Sequence, residues 1–152
     1  MNACEYRGIT ANTLSEPWKQ SCAPTRKRGL LGLSFRAGRD DLRESSLVNL
    51  VERLLGEGCQ CRIYDEDVVL GRIVGSNRQY IEETIPHIRS LLSGDLREVI
   101  ETAEVLLIGT KTVSSEKLHA HLHAGTIIID LVHLEKSQRI AGHAPYEGIC
   151  WQ

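Results

Sequence analysis

A chain of 152 residues is one domain's worth of protein, and 41% hydrophobic content excludes a disordered chain. A net charge of −2 argues against a partner made of nucleic acid or of acidic membrane surface. No apolar run approaches the roughly 20 residues of a membrane-spanning helix, and no apolar signal core opens the chain, so the expected location is cytoplasmic.

Residues 1–28 differ in character from the remainder of the chain. They carry a net charge of +3, against −5 for the other 124 residues. They contain Pro17 and Pro24 and keep neither a strand nor a helix period. They read as a poorly ordered leader, with Arg26-Lys27-Arg28 as a solvated approach to the first strand. Residues 29–152 read as the folded domain.

From Gly29 the elements alternate. Residues 29–34 (Gly-Leu-Leu-Gly-Leu-Ser) read as a buried strand. Leu47, Leu50, Val51, Leu54 and Leu55 recur at helical spacing, which predicts a helix over 46–55 ended by Gly56 and Gly58. Residues 59–64 are a second strand closed by Asp65. Helical stretches are predicted near 66–73 and 77–85, with Pro86 stopping the latter. Asp95 and Glu98 form an acidic capping box ahead of the stripe Leu96, Val99, Ile100 and Ala103. Residues 105–108 are a third strand, 114–123 a helix, and 126–131 a fourth strand rich in isoleucine. A fifth strand is expected near 139–141. Strands alternating with helices at this spacing predict a doubly wound parallel sheet, a Rossmann-like three-layer α/β/α domain. Helices on both faces account for strands that are apolar throughout rather than alternating.

Five cysteines, an odd number in a reducing compartment, do not suggest disulfides. Cys59 and Cys61 form a lone C-x-C without a second pair, which reads as two buried small hydrophobes rather than a zinc site. His119 and His123 share a helix face but fill only half of a tetrahedral site, so no metal is expected. There is no Ser-His-Asp order and no nucleophile elbow, and nothing beside Cys150 would lower its pKa. Trp151 reads as an anchoring aromatic.

The chemistry concentrates after the first strand. Residues 35–46 place Arg36, Arg39 and Arg43 with Asp40 and Asp41 in a loop that enters a helix. In open α/β sheets ligands bind beyond the carboxyl ends of the strands. A helix N-terminus favours anions, arginine adds forked donors suited to phosphate, and Asp41 can orient an arginine. The competing reading is a solvated loop that neutralises itself. Neither G-x-G-x-x-G nor a P-loop lysine is present. A receiver-type acidic pocket is a poor match, because Asp65 and Lys111 stand imperfectly for it among so many arginines.

The stretch Gly32-Leu33-Ser34-Phe35-Arg36-Ala37-Gly38-Arg39-Asp40-Asp41-Leu42-Arg43-Glu44-Ser45 resembles the G-L-S-F-K-A-G-T-D-D-L-R-E-S motif of the nucleotide-sugar dehydrogenases. Within that family, Arg62-Ile63-Tyr64-Asp65, Tyr80-Ile81-Glu82, Ile85-Pro86-His87 and the closing Glu147-Gly148-Ile149-Cys150-Trp151 most resemble the GDP-mannose 6-dehydrogenase branch. The resemblance implies the carboxyl-terminal, nucleotide-sugar-binding domain of a three-domain enzyme. Such an enzyme has an amino-terminal NAD domain and a central helical region that carries the catalytic cysteine and builds a dimer. It oxidises the sugar C6 alcohol to a carboxylate in two hydride transfers, and the product GDP-mannuronate feeds alginate-type polysaccharide synthesis. By the same resemblance Phe35 and Arg36 contact the nucleotide sugar, with GDP-mannose expected, and Arg43 contacts NAD. Arg39 and Asp41 support them.

Arg36 stands where the motif has lysine, Arg39 where it has threonine, and Gly109-Thr110-Lys111 departs from a more acidic family loop. No NAD fingerprint or catalytic cysteine segment appears in these residues. The expectation is therefore a chain inactive alone, completed by a partner chain with those domains and open to forming a homo-oligomer. The alternative is a stand-alone or decayed nucleotide-sugar-binding or oligomerisation module.

Overall fold

The computed structural model describes residues 26–33, 45–66, 68, 76–85, 87–111, 113–134 and 146–148. Five strands are described: β1 Lys27–Leu31, β2 Gln60–Tyr64, β3 Val105–Ile108, β4 Ile127–Asp130 and β5 Tyr146–Gly148. They form one sheet in the order β2-β1-β3-β4-β5, with every pair parallel. The helices are α1 Ser46–Gly56, α2 Ser76–Thr84, α3 Ile88–Leu91, α4 Leu96–Thr102 and α5 Ser115–His121.

Strand alternation divides the core into two layers. Leu30, Ile63, Leu107 and Ile129 pack with Leu47, Val51 and Leu54 of α1, Ile81 of α2 and Ile88 of α3. Leu31, Leu106, Ile108 and Ile128 pack on the other face with Val99 and Ile100 of α4 and Leu118 of α5. Both faces of the sheet are covered, which is why β3 is buried at all four positions. The doubly wound three-layer architecture is the one expected from the sequence.

Several details differ from that expectation. The first strand opens two residues early, and Arg28 is no solvated approach: it lies in β1 and is only 4% exposed. Its neighbour across the register is Cys61. Helix α2 ends at Thr84, the stop expected before Pro86, but a short helix not expected from the sequence, α3, follows, preceded by His87 in a left-handed conformation (φ 65°). The fifth strand stands at Tyr146–Gly148, beyond the expected 139–141, which lie outside the described residues. Most of the helix expected near 66–73 also lies outside them, as do the leader up to residue 25, Cys150 and Trp151.

The acidic box before α4 forms in altered shape. Asp95 caps through the Arg97 N–H at 2.9 Å. Glu98 reaches back not to the Asp95 N–H but to the Ser93 hydroxyl, at 2.5 Å, and that hydroxyl accepts from the Asp95 N–H at 3.1 Å. Ser93 thus bridges the two halves of the motif.

Glu82 links α2 to α3. It accepts from Arg78 Nε at 3.2 Å and from Arg89 Nη2 at 2.8 Å. Those hydrogen bonds, that from Arg89 foremost, hold its carboxyl below the ordinary glutamate range. A depressed carboxyl contributes above its unfolded value and loses that contribution as pH falls through the lowered folded value. Carboxyl-detected NMR titration is expected to give Glu82 a low midpoint that rises in Arg89→Ala; an unchanged midpoint would remove Arg89 as its cause.

Candidate functional site

The strand order makes β1 and β3 neighbours although β2 comes after β1 in sequence. From β1 the chain passes to one side, and from β3 to the other, so a crevice opens between their carboxyl ends. Gly32 and Leu33 leave β1 there, and Gly109, Thr110 and Lys111 leave β3.

The crevice depends on two glycines. Gly32 has φ +93°, and a Cβ on it would stand 2.6 Å from Thr110 Cβ. A Cβ on Gly109 would meet Leu47 Cδ1 at 2.7 Å and the Gly32 carbonyl at 3.1 Å. The Gly109 N–H donates to Leu31 O at 2.8 Å, and the Gly32 N–H to Tyr64 O at 2.7 Å. The backbone at the two strand ends is therefore closely packed and fully directed.

Leu33 and Ser45 bracket residues 34–44. Asp65 Oδ2 accepts the Leu33 N–H at 2.6 Å, and Asp65 Oδ1 accepts the Val68 N–H at 3.2 Å. Ser45 Oγ donates to the Leu33 carbonyl at 2.5 Å, across a sequence gap of 12. Ser45 is 1% exposed. The segment 34–44 therefore begins and ends at one fixed point beside the carboxyl end of β1.

This use of Ser45 has an electrostatic consequence. As N-cap of α1 it makes no side-chain cap bond, and the first turn of α1 carries no acidic residue. The starts of α4 and α5 are built differently. Asp95 and Ser114 cap them through their side chains, with Glu98 and Glu116 in the first turns. Among the described residues, neither a side-chain cap nor a first-turn carboxylate neutralises the positive end of the α1 dipole at the crevice. Towards β2 the character is acidic: partial burial foremost, then Glu66, Asp65 and Asp95, raises the Tyr64 hydroxyl above the ordinary tyrosine value.

At the carboxyl end of β4, Asp130 is wholly buried. Its Oδ1 accepts the Val132 N–H at 2.9 Å and its Oδ2 the Leu134 N–H at 2.8 Å, and the Tyr146 hydroxyl donates to Oδ2. Asp130 thereby shapes the turn after β4 and fastens β5 to the sheet.

The residues expected to carry the site, Phe35, Arg36, Arg39, Asp41 and Arg43, all lie outside the described residues. What the structure supplies is their anchorage. Asp65 holds the backbone N–H groups of Leu33 and Val68. Neither Ser45 nor Asp130 stands out in the sequence as an anchor. An aspartate ending an apolar strand is a usable signal for such a turn.

His121 lies 3.3 Å from Glu101, a carboxylate that sequence spacing does not bring near it. Arg97 also holds Glu101, at 2.8 Å, and its hydrogen bond is the chief cause of a lowered Glu101 pKa. Among the described residues no three histidine, cysteine or acidic side chains gather as metal ligands. Among the same residues no helix is long and apolar enough to cross a membrane.

Residues 29–136 match the family model described as UDP-glucose/GDP-mannose dehydrogenase family, UDP binding domain. The chain is 48% identical over 126 residues to a GDP-mannose 6-dehydrogenase of Pseudomonas putida, covering 83% of this chain and 28% of the relative. It is 46% identical over 127 residues to the Azotobacter vinelandii GDP-mannose 6-dehydrogenase, covering 84% and 28%. Among solved structures, a ternary complex of GDP-mannose dehydrogenase from Pseudomonas aeruginosa superposes with a TM-score of 0.65 at 42% identity, over 88% of this chain and 30% of that one. A UDP-glucose dehydrogenase from Pyrobaculum islandicum shares the fold, with a TM-score of 0.58 at 23% identity, over 84% and 26%. The chain thus spans little more than a quarter of the length of the curated relatives it matches, at 28%. On the sheet order, the crevice and these matches, the chain belongs to the UDP-glucose/GDP-mannose dehydrogenase family, in its UDP binding domain.

Proposed function

We propose that this chain is the nucleotide-sugar-binding domain of a GDP-mannose 6-dehydrogenase, receiving the diphosphate of GDP-mannose at the carboxyl ends of β1 and β3. The observation that carries the reading is the α1 N-terminus, which has neither a side-chain cap bond nor an acidic first turn. Residues 34–44, fastened next to it through Leu33 and Ser45, contain Phe35 and Arg36 for the nucleotide sugar, Arg43 for NAD, and Arg39 and Asp41 in support. Arginine at 36 in place of lysine offers a forked donor to a phosphate rather than a point charge.

The chemistry of that reading is oxidation of the sugar C6 alcohol to a carboxylate, two hydrides passing to two NAD molecules. The NAD domain and the catalytic cysteine would stand on a partner chain or on further sequence; this domain binds and orients the donor. The P. putida and A. vinelandii names support GDP-mannose as that donor. The GDP-mannuronate product would serve alginate-type polysaccharide synthesis in the cytoplasm.

Calorimetry with GDP-mannose, GDP and UDP-glucose tests the reading. Arg36→Ala is expected to weaken GDP-mannose and GDP by about 1.5–3 kcal/mol, the usual loss for a charge-assisted phosphate contact. Equal heats for wild type and variant would remove Arg36 from the site. No heat from any of the three ligands would favour a module without nucleotide-sugar affinity, to which the arginine at 39 in place of threonine already points.

A further inference from the structure

We infer that Asp65 is a positioning residue of the proposed nucleotide-sugar site: its carboxylate holds Leu33, from which the arginine-rich segment departs, and touches no ligand itself. The inference rests on the proposed binding at the carboxyl ends of β1 and β3.

The need for such a residue arises where the strand ladder ends. β1 and β2 pair in parallel from Lys27 with Gln60 to Leu31 with Tyr64, and the Gly32 N–H still reaches the Tyr64 carbonyl at 2.7 Å. At Gly32, with φ 93°, the chain turns out of the strand. Leu33 is 0% exposed, so its N–H and carbonyl leave the ladder without gaining water. Side chains from two other places in the fold take over. Asp65, directly after β2, accepts the Leu33 N–H at 2.6 Å through Oδ2, and Ser45, directly before α1, donates to the Leu33 carbonyl at 2.5 Å. The Leu33 side chain lies in the same core layer as Leu30, Leu47 and Ile63. One residue is thus held at its amide, its carbonyl and its side chain, and Arg36 follows it three positions later.

The bonds of Asp65 assign it this role in place of a ligand contact. In dinucleotide-binding sheets an acidic residue at the end of the second strand takes a ribose hydroxyl. Here Oδ2 accepts the Leu33 N–H, and Oδ1 accepts the Val68 N–H at 3.2 Å. Both bonds are buried. The carboxylate is therefore engaged by backbone at each oxygen. Its removal frees the residue from which 34–44 starts, and a ligand must then restore that order on binding.

Calorimetry with GDP and with 2′,3′-dideoxy-GDP, on the full chain at a temperature where each variant is folded, tests the inference. Asp65→Ala is expected to weaken GDP roughly tenfold, the order of re-fixing one freed backbone residue. Asp65→Asn keeps one acceptor and should fall between Asp65→Ala and wild type. The dideoxy ligand should lose affinity in Asp65→Ala by the same factor as GDP. Ser45→Ala should also weaken GDP, and the double variant by less than the product of the two, since both side chains act on one residue. A loss that appears with GDP and vanishes with the dideoxy ligand would mean a direct ribose contact and overturn the inference. So would a lowered unfolding midpoint with undiminished GDP affinity, the mark of a merely structural carboxylate. If Asp65→Ala does not fold, Asp65→Asn and Ser45→Ala carry the same comparison. A wild-type chain that binds neither ligand defeats the proposed function instead. The ligand-free amide spectrum then decides: signals from residues 34–44 should move in Asp65→Asn and Ser45→Ala, and unmoved signals overturn the positioning role.

Discussion

Gly32→Ala is expected to cost about 3 kcal/mol of stability, from a backbone strained at positive φ together with overpacking. Two independent penalties meet at this position. Its φ of +93° is one that side-chain-bearing residues rarely adopt, and the new methyl would stand 2.6 Å from Thr110 Cβ and 2.8 Å from Thr110 Cγ2. The obstructing atoms belong to the first turn after β3, next to a closely packed Gly109, so they have little room to yield. Urea denaturation measures the loss. Adding Thr110→Gly to Gly32→Ala should return the steric share but not the conformational share. Gly94→Ala and Gly125→Ala are the controls: nothing lies within 4 Å of either Cβ, so each should change stability by less than about 0.5 kcal/mol. A Gly32→Ala protein as stable as these controls would mean that the carboxyl ends of β1 and β3 are not packed as described. Ligand affinity should fall with stability, since the same contact sets the width of the crevice.

Asp130→Ala is expected to cost about 3 kcal/mol, because three donors lose the carboxylate that accepts from them. The carboxylate is wholly buried and accepts from two backbone N–H groups and from Tyr146. Its removal leaves the buried Leu134 N–H and two part-buried donors without that acceptor. Tyr146→Phe removes one donor and keeps the ring, so its cost should be about 1–2 kcal/mol. The two changes should not add, because they share one bond; thermal or urea unfolding of both single variants and the double variant gives the coupling directly. Hydrogen exchange should accelerate at Tyr146–Gly148 before the other strands, since β5 is fastened at the edge of the sheet by this contact. Strict additivity, or unchanged exchange in β5, would contradict the role given to Asp130.

The parts of this fold that local pattern governs were legible, and the parts held by distant contacts were not. Val105–Ile108 and Ile127–Asp130 read as strands because continuous apolar runs have little alternative in a sheet covered on both faces. The spacing of Leu47, Val51 and Leu54 marked α1 just as locally, through the helical repeat. Tyr146–Gly148 carries no such pattern: three residues with one aromatic become a strand through the bond between Tyr146 and Asp130, 16 residues away. Ile88–Leu91 is too short for periodicity to register, and its start depends on a left-handed His87.

The site divides in the same way. The arginine-rich stretch was legible as a motif, and its entry into α1 was legible from helix spacing. The anchorage was not. Asp65 meets Leu33 across 32 residues, and Ser45 bonds the Leu33 carbonyl instead of capping α1. A serine before a helix predicts a cap from local sequence; here the tertiary bond to the Leu33 carbonyl wins. Arg28 shows the converse error. A run of three basic residues predicts a solvated face, but strand pairing with Cys61 carries the last of the three into the protein.

Titration of GDP-mannose into the isotope-labelled chain, followed by amide shifts, tests the central claim most directly. Saturable shifts are expected at Gly32, Leu33, Gly109 and Thr110 and at the first-turn amides Ser46 and Leu47. Shifts confined to other parts of the sheet, or no saturable shift at these amides, would contradict it.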